Sequence, residues 1–160
     1  MRILIAAVGR MKAGAERELV ERYLDRATKL GRTLGITRVD VAEIPESRSP
    51  RPADRMAEEA VALAALLPER AIRVVLDERG RTLPSADFSA RLARWRDEGA
   101  PALAFLIGGA DGHGPQLRDS ADLLLSFGAM TWPHQLVRVM ASEQIYRALT
   151  LIAGHPYHRE

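Results

Sequence analysis

Three stretches of the chain gather groups suited to binding or reaction. Gly108-Gly109-Ala110-Asp111-Gly112-His113-Gly114 puts four glycines into seven residues directly after an apolar run. Glycine lets a backbone approach a ligand closely and take up positive φ. The spacing fits neither a dinucleotide fingerprint nor a phosphate loop, which would need Gly-Lys followed by Ser or Thr. A ligand loop of another kind and a tight turn entering a helix at Pro115 both remain open. Ser126-Phe127-Gly128-Ala129-Met130-Thr131-Trp132-Pro133-His134 carries little charge, holds bulky apolar side chains, and is too irregular for one strand or helix. Its backbone donors and acceptors need partners if it is buried. A flat ligand such as adenine would satisfy them while packing on Met130 or Trp132; a connection satisfied by its own turns is the alternative.

The third stretch is the tail, where His155, Tyr157, His158 and Arg159 bring stacking, proton transfer and anion contact together. A frayed polar end is the plain alternative. Pro156 separates the two histidines and no clear third ligand accompanies them, so no metal is expected. Upstream, Val137, Ala141, Ile145, Leu149 and Ile152 form an apolar stripe at helical spacing, which leaves Arg138 and Arg147 off it. Glu143 precedes Arg147 by four residues, a spacing that serves a helix-stabilising ion pair or the lining of a substrate groove.

The elements that must position these groups alternate between strand-like and helix-like patterns, which favours an α/β sheet covered on both faces. Residues 2–8, 36–44, 71–77, 102–107 and 123–125 read as strands, with little apolar–polar alternation in the third and fourth, as in buried parallel strands. Helical patterns cover 16–30, a segment through Met56, Leu63 and Leu67, one starting near Pro84 with Phe88, Leu92 and Trp95 on a face, and 135–153. Residues 46–52 must be loop, and residues 78–81 turn the chain. Leu76-Asp77, residues 108–114 and residues 126–134 then all follow strand ends, where open α/β sheets bind ligands.

At 160 residues the chain fits one domain, 1–160, with no repeat or linker to divide it. An apolar fraction of 47% with 28% charged residues supports a packed core and excludes a disordered tail as the main feature. No apolar run approaches the roughly 20 residues that span a bilayer. The absence of cysteine removes disulfides and thiol catalysis and fits a cytoplasmic protein. A net charge of +2 is too small to argue nucleic-acid binding by itself. The placement of Arg10, Lys12, Arg48, Arg51 and Arg55 near strand ends would make a basic surface if the fold gathers them.

These segments together resemble the small SPOUT methyltransferases that modify N3 of a pseudouridine in large-subunit ribosomal RNA. The resemblance runs the length of the chain, from Ala7-Val8-Gly9 through Leu76-Asp77, Leu106-Ile107-Gly108-Gly109 and Leu125-Ser126-Phe127. It is most specific in residues 130–139, in residues 143–148, and in His155-Pro156-Tyr157-His158-Arg159. It implies a mostly parallel sheet with helices on both faces, a deep trefoil knot near the C-terminus, and a homodimer. It implies S-adenosylmethionine as cofactor, with Leu76, Gly108, Phe127, Gly128, Ala129, Met130, Thr131 and Trp132 as its contacts. Ala110 stands where several relatives carry proline, which alters loop stiffness.

Pseudouridine N3 is a poor nucleophile until its proton leaves, so a base or an anion-stabilising cation would help. His158 is the candidate base, Tyr157 would position it, and Arg159 and Arg138 would stabilise the uridine anion or a nearby phosphate. Three rivals remain: a SPOUT-fold RNA-binding module without catalysis, a SPOUT methyltransferase acting on transfer RNA, and a flavodoxin-like nucleotide-binding domain. The lack of a phosphate fingerprint argues against the last.

Overall fold

A computed structural model describes residues 1–157. Strands and helices alternate as β1 (Arg2–Val8), α1 (Ala15–Gly31), β2 (Arg38–Ile44), α2 (Pro52–Ala65), β3 (Ile72–Arg81), α3 (Ser85–Asp97), β4 (Ala102–Ile107), α4 (Pro115–Asp119), β5 (Leu123–Leu125) and α5 (His134–Ile152). The strands form one sheet in the order β2-β1-β4-β3-β5, with every neighbouring pair parallel. Parallel pairing forces each connection to cross over a face of the sheet, so helices cover both sides.

One side is packed by α1, α3 and α5, where Ala27, Phe88, Leu92, Ala141, Ile145 and Leu149 meet Ile3, Ile5, Leu103 and Phe105. The other is packed by α2 and α4, where Leu63 and Leu117 meet Leu4, Ala6, Val75 and Leu106. β1 and β4 lie at the centre and are buried on both faces, which accounts for their uninterrupted apolar runs. The edge strand β2 is partly exposed, in keeping with the polar residues Arg38, Asp40 and Glu43 among its apolar ones.

Three expectations need correction. The loop of residues 46–52 ends one residue early, because Pro52 is the first residue of α2; proline suits that position, where no helical N–H bond is lost. Residues 78–81 do not turn the chain but prolong β3. Leu125 pairs with Leu76 and again with Arg81, and the Ser126 N–H donates to the Arg81 carbonyl at 3.0 Å. The overhang of β3 therefore curls over the end of β5. Gly80 permits the crossing, since a Cβ there would lie 2.5–2.8 Å from the Leu125 backbone. Finally, the buried face of α5 includes Arg138, which the apolar stripe had left outside; Arg138, Ala141, Ser142, Ile145 and Leu149 are buried while Val137 is only partly so.

Candidate functional site

The carboxyl ends of β3, β4 and β5 open into a cavity of about 420 Å³, within the usual size range of small-ligand pockets. Its walls are the three stretches that follow those strands. Leu76, Asp77, Glu78 and Arg79 come from the end of β3, residues 108–113 from the glycine-rich loop after β4, and Ser126, Phe127, Gly128, Met130, Thr131 and Trp132 from the segment before α5. Of the positions expected to touch cofactor, the fold gathers Leu76, Gly108, Phe127, Gly128, Met130, Thr131 and Trp132 on this cavity. Ala129 is exposed and does not line it.

The glycine-rich loop is shaped from within. Gly109 and Gly112 form an isolated bridge, the Gly112 N–H donates to the Gly109 carbonyl at 3.0 Å, and Gly112 sits at φ +71°. A Cβ on Gly108 would lie 2.9 Å from the Gly112 backbone, so the close return of the loop requires glycine there. His113 is buried, and its Nε2 lies 3.2 Å from the Leu106 carbonyl. A carbonyl can only accept, so that nitrogen carries the ring proton. Burial, the largest influence, pushes the imidazole pKa down and holds the ring neutral. Arg118 donates to the His113 carbonyl and lies 3.7 Å from Asp77, linking α4 to the β3 end.

The chemistry of the lining suits a molecule with a flat apolar ring and a charged, hydroxylated remainder. Phe127, Met130 and Trp132 offer apolar surface; Met130 is 75% and Trp132 41% exposed, unusual for such side chains. Asp77, Glu78 and Asp111 offer acceptors for hydroxyls and a favourable field for a sulfonium or ammonium, while Arg79 and Arg118 offer cations for a carboxylate. S-adenosylmethionine carries all of these groups, so the residues present fit it.

The proposed catalytic residues are placed less uniformly. Arg138 does not line the cavity. It is 1% exposed, and its guanidinium donates to Glu43, to the Val8 carbonyl at 2.7 Å and to the Gly9 carbonyl at the end of β1. In this position it fixes the N-terminal half of α5 against the β1 and β2 ends. Its Nε has no hydrogen-bond partner among the described residues, and burial pushes its pKa down. Tyr157 also lies off the cavity. Its ring packs edge-on to Tyr146 at 4.7 Å and under the Arg147 guanidinium at 5.2 Å, and its hydroxyl donates to Glu143 Oε1 at 3.2 Å. Desolvation first, then Tyr23 and Glu143, push its pKa up, so the phenol keeps its proton. Glu143 also receives two bonds from Arg147, giving that pair a shared role in holding Tyr157. His158 and Arg159 lie outside the described residues.

Asp77, Asp111, His113 and Arg118 line the cavity without having been singled out as site residues. Their position beside Leu76 and within the glycine-rich loop was a usable signal for the first three. Arg118 belongs to a five-residue helix, and nothing in its sequence context marks it. Among the described residues, no group of His, Asp and Glu could hold a metal, and no helix is long and apolar enough to cross a membrane.

Comparison with known proteins bears on the same segments. Residues 1–158 match a family model described as "Predicted SPOUT methyltransferase". Ribosomal RNA large subunit methyltransferase H of Bradyrhizobium sp. (strain BTAi1) is 58% identical over 159 residues, covering 99% of each chain. The proteins of that name from Rhodopseudomonas palustris (strain HaA2) and Xanthobacter autotrophicus (strain Py2) are each 59% identical, again over 99% of each chain. Among solved structures, the SpoU methyltransferase AviRb of Streptomyces viridochromogenes with bound AdoMet aligns over 96% of this chain and 61% of that one, at 16% identity and a TM-score of 0.41, too loosely to carry an argument. The full-length family match, with relatives of the same length at such identity, places this chain in the SPOUT methyltransferase family.

Proposed function

We propose that this chain transfers a methyl group from S-adenosylmethionine to N3 of a pseudouridine in large-subunit ribosomal RNA, on the assembled ribosome, as a cytoplasmic homodimer of one domain spanning residues 1–160. The observation that carries the reading is the cavity at the ends of β3, β4 and β5, which collects every expected cofactor position except Ala129. The names of the relatives supply the class of RNA. A trefoil knot belongs to the same proposal. Its support is the β3 overhang, which pairs with Leu125 a second time, through Arg81, where the chain leaves β5.

In this reading residues 126–132 and the glycine-rich loop hold the cofactor, and the exposed faces of Met130 and Trp132 exclude water from it. When bound, the cofactor supplies a methyl already activated on a sulfonium. What remains for the protein is alignment and removal of one proton from the base. His158 takes the N3 proton, and Arg159 stabilises the uridine anion. Tyr157 is anchored to Glu143 and Arg147, and in a homodimer His158 and Arg159 complete the partner's site. Arg138 is assigned to positioning, through the end of β1, because its guanidinium is already engaged.

His158→Ala tests the assignment of the base. Single-turnover methylation should slow by roughly 100-fold, in the range of a lost general base, while cofactor affinity by calorimetry stays within twofold of the parent. A large loss of cofactor affinity instead would remove His158 from the chemistry.

A further inference from the structure

The glycine-rich loop forms one wall of the cofactor cavity, and one side chain from outside that wall grips it. Arg55, in the first turns of α2, faces Asp111 with Nε 2.6 Å from Oδ2 and Nη2 3.0 Å from Oδ1, a two-point fork. Its remaining nitrogen, Nη1, donates to the Ser49 and Pro50 carbonyls at 3.0 and 3.1 Å. A single guanidinium thus joins three segments: the loop leaving β2, the start of α2, and the loop leaving β4. Both side chains are only 26% exposed, so the pair is partly shielded from water. One turn on, Glu59 is buried, accepts the Ser47 N–H at 3.0 Å, and would crowd any Cβ on Gly109 at 3.1 Å. Ser47 and Ser49 further donate to Glu58. Residues 47–50 are therefore fastened down onto α2, and α2 is fastened to Asp111.

We infer that Arg55 is a positioning residue for methyl transfer: by holding Asp111 it sets the glycine-rich wall of the cofactor cavity and ties it to the loop that carries Arg48 and Arg51. The inference rests on the reading of that cavity as the S-adenosylmethionine site. Arg55 does not line the cavity, so its effect passes through Asp111, which does. The loop's own internal bonds shape residues 109–113 but do not fix them relative to β2 and α2. Each partner shifts the other's ionisation toward the charged pair, raising Arg55 and lowering Asp111, so the fork is intact at neutral pH. Lysine could keep the charge but would lose the two-point contact and the carbonyl bonds together.

The test is a double-mutant cycle on the full-length protein, with S-adenosylmethionine binding measured by calorimetry and methylation by steady-state kinetics. Arg55→Gln should weaken cofactor binding by on the order of tenfold and Asp111→Asn by at least as much, because Asp111 also lines the cavity, with the double variant no worse than Asp111→Asn alone, since the shared fork is lost only once. In Arg55→Gln, which lies outside the cavity, KM for the cofactor should rise in step while kcat at saturating cofactor stays within about threefold. Arg55→Lys should recover only part of the affinity. Affinity unchanged in Arg55→Gln, or losses that add in the double variant, would overturn the inference. So would a fall in melting temperature and kcat with KM unchanged, which marks a purely structural contact. If Arg55→Gln does not fold, Asp111→Asn and Arg55→Lys carry the same comparison. Failure of the parent protein to bind S-adenosylmethionine at all would bring down the cofactor reading itself, and the inference with it.

Discussion

His113 shows how a single residue can carry a pH dependence without taking part in the chemistry. Its ring is buried beneath the glycine-rich loop, donates to the Leu106 carbonyl, and is kept neutral chiefly by desolvation. Its pKa in the folded state therefore lies below its value in the unfolded chain. A group of this kind contributes stability that is complete above its unfolded pKa and is lost as the pH falls. Stability should begin to drop below about pH 6.5, the ordinary histidine value, and urea unfolding followed across pH 5 to 8 should show that slope vanish in His113→Gln. Persistence of the whole slope in the variant would place its origin elsewhere. At this scale the sequence was only partly informative. Gly108, Phe127 and Trp132 stand out because glycine clusters and uncharged aromatic segments are rare, but Arg138 misled. An arginine on a helix is read as solvent-facing, and only the convergence of Glu43, Val8 and Gly9 on its guanidinium shows why it is buried.

At the scale of elements, the junction of β3 and β5 is tightly constrained. Leu125 pairs with Leu76 and again with Arg81, and Gly80 crosses its backbone with no room for a side chain. Gly80→Ala should therefore be poorly tolerated, costing about 1–3 kcal/mol as overpacking does, although its backbone could take alanine without strain elsewhere. Because Leu76 and Leu125 both border the cavity, cofactor affinity should fall with stability. Thermal unfolding and calorimetry on the same preparation would check this, and a variant unchanged in both would mean that the overhang yields freely. The strands and long helices were legible from their apolar periodicity, and β4 and α5 fall within a residue or so of expectation. The overhang was not. Glu78, Arg79, Gly80 and Arg81 look like a turn because their partner, Leu125, lies more than 40 positions away and contributes no local pattern.

The whole molecule is a parallel sheet that uses its two halves differently. The ends of β3, β4 and β5 build the cavity, while the ends of β1 and β2 carry Arg10, Lys12, Arg48 and Arg51 on the same rim. Apart from the Arg51–Asp54 pair at 2.7 Å, those cations make no ion pair among the described residues. In the proposed reading that division would serve a cofactor site on one half and phosphate contacts on the other, the electrostatic component that RNA binding requires. Net charge is a poor guide to such a surface, because a balance of +2 says nothing of where the cations follow the strand ends. In the proposed reading the cavity and the rim act together to methylate ribosomal RNA. The direct measurement is transfer of labelled methyl from S-adenosylmethionine to intact ribosomes, free large subunits and transfer RNA, all taken from cells lacking this protein. Label confined to a pseudouridine of large-subunit RNA, strongest on intact ribosomes, is the predicted result; label on transfer RNA, or none on any RNA by a protein that binds the cofactor, would contradict it.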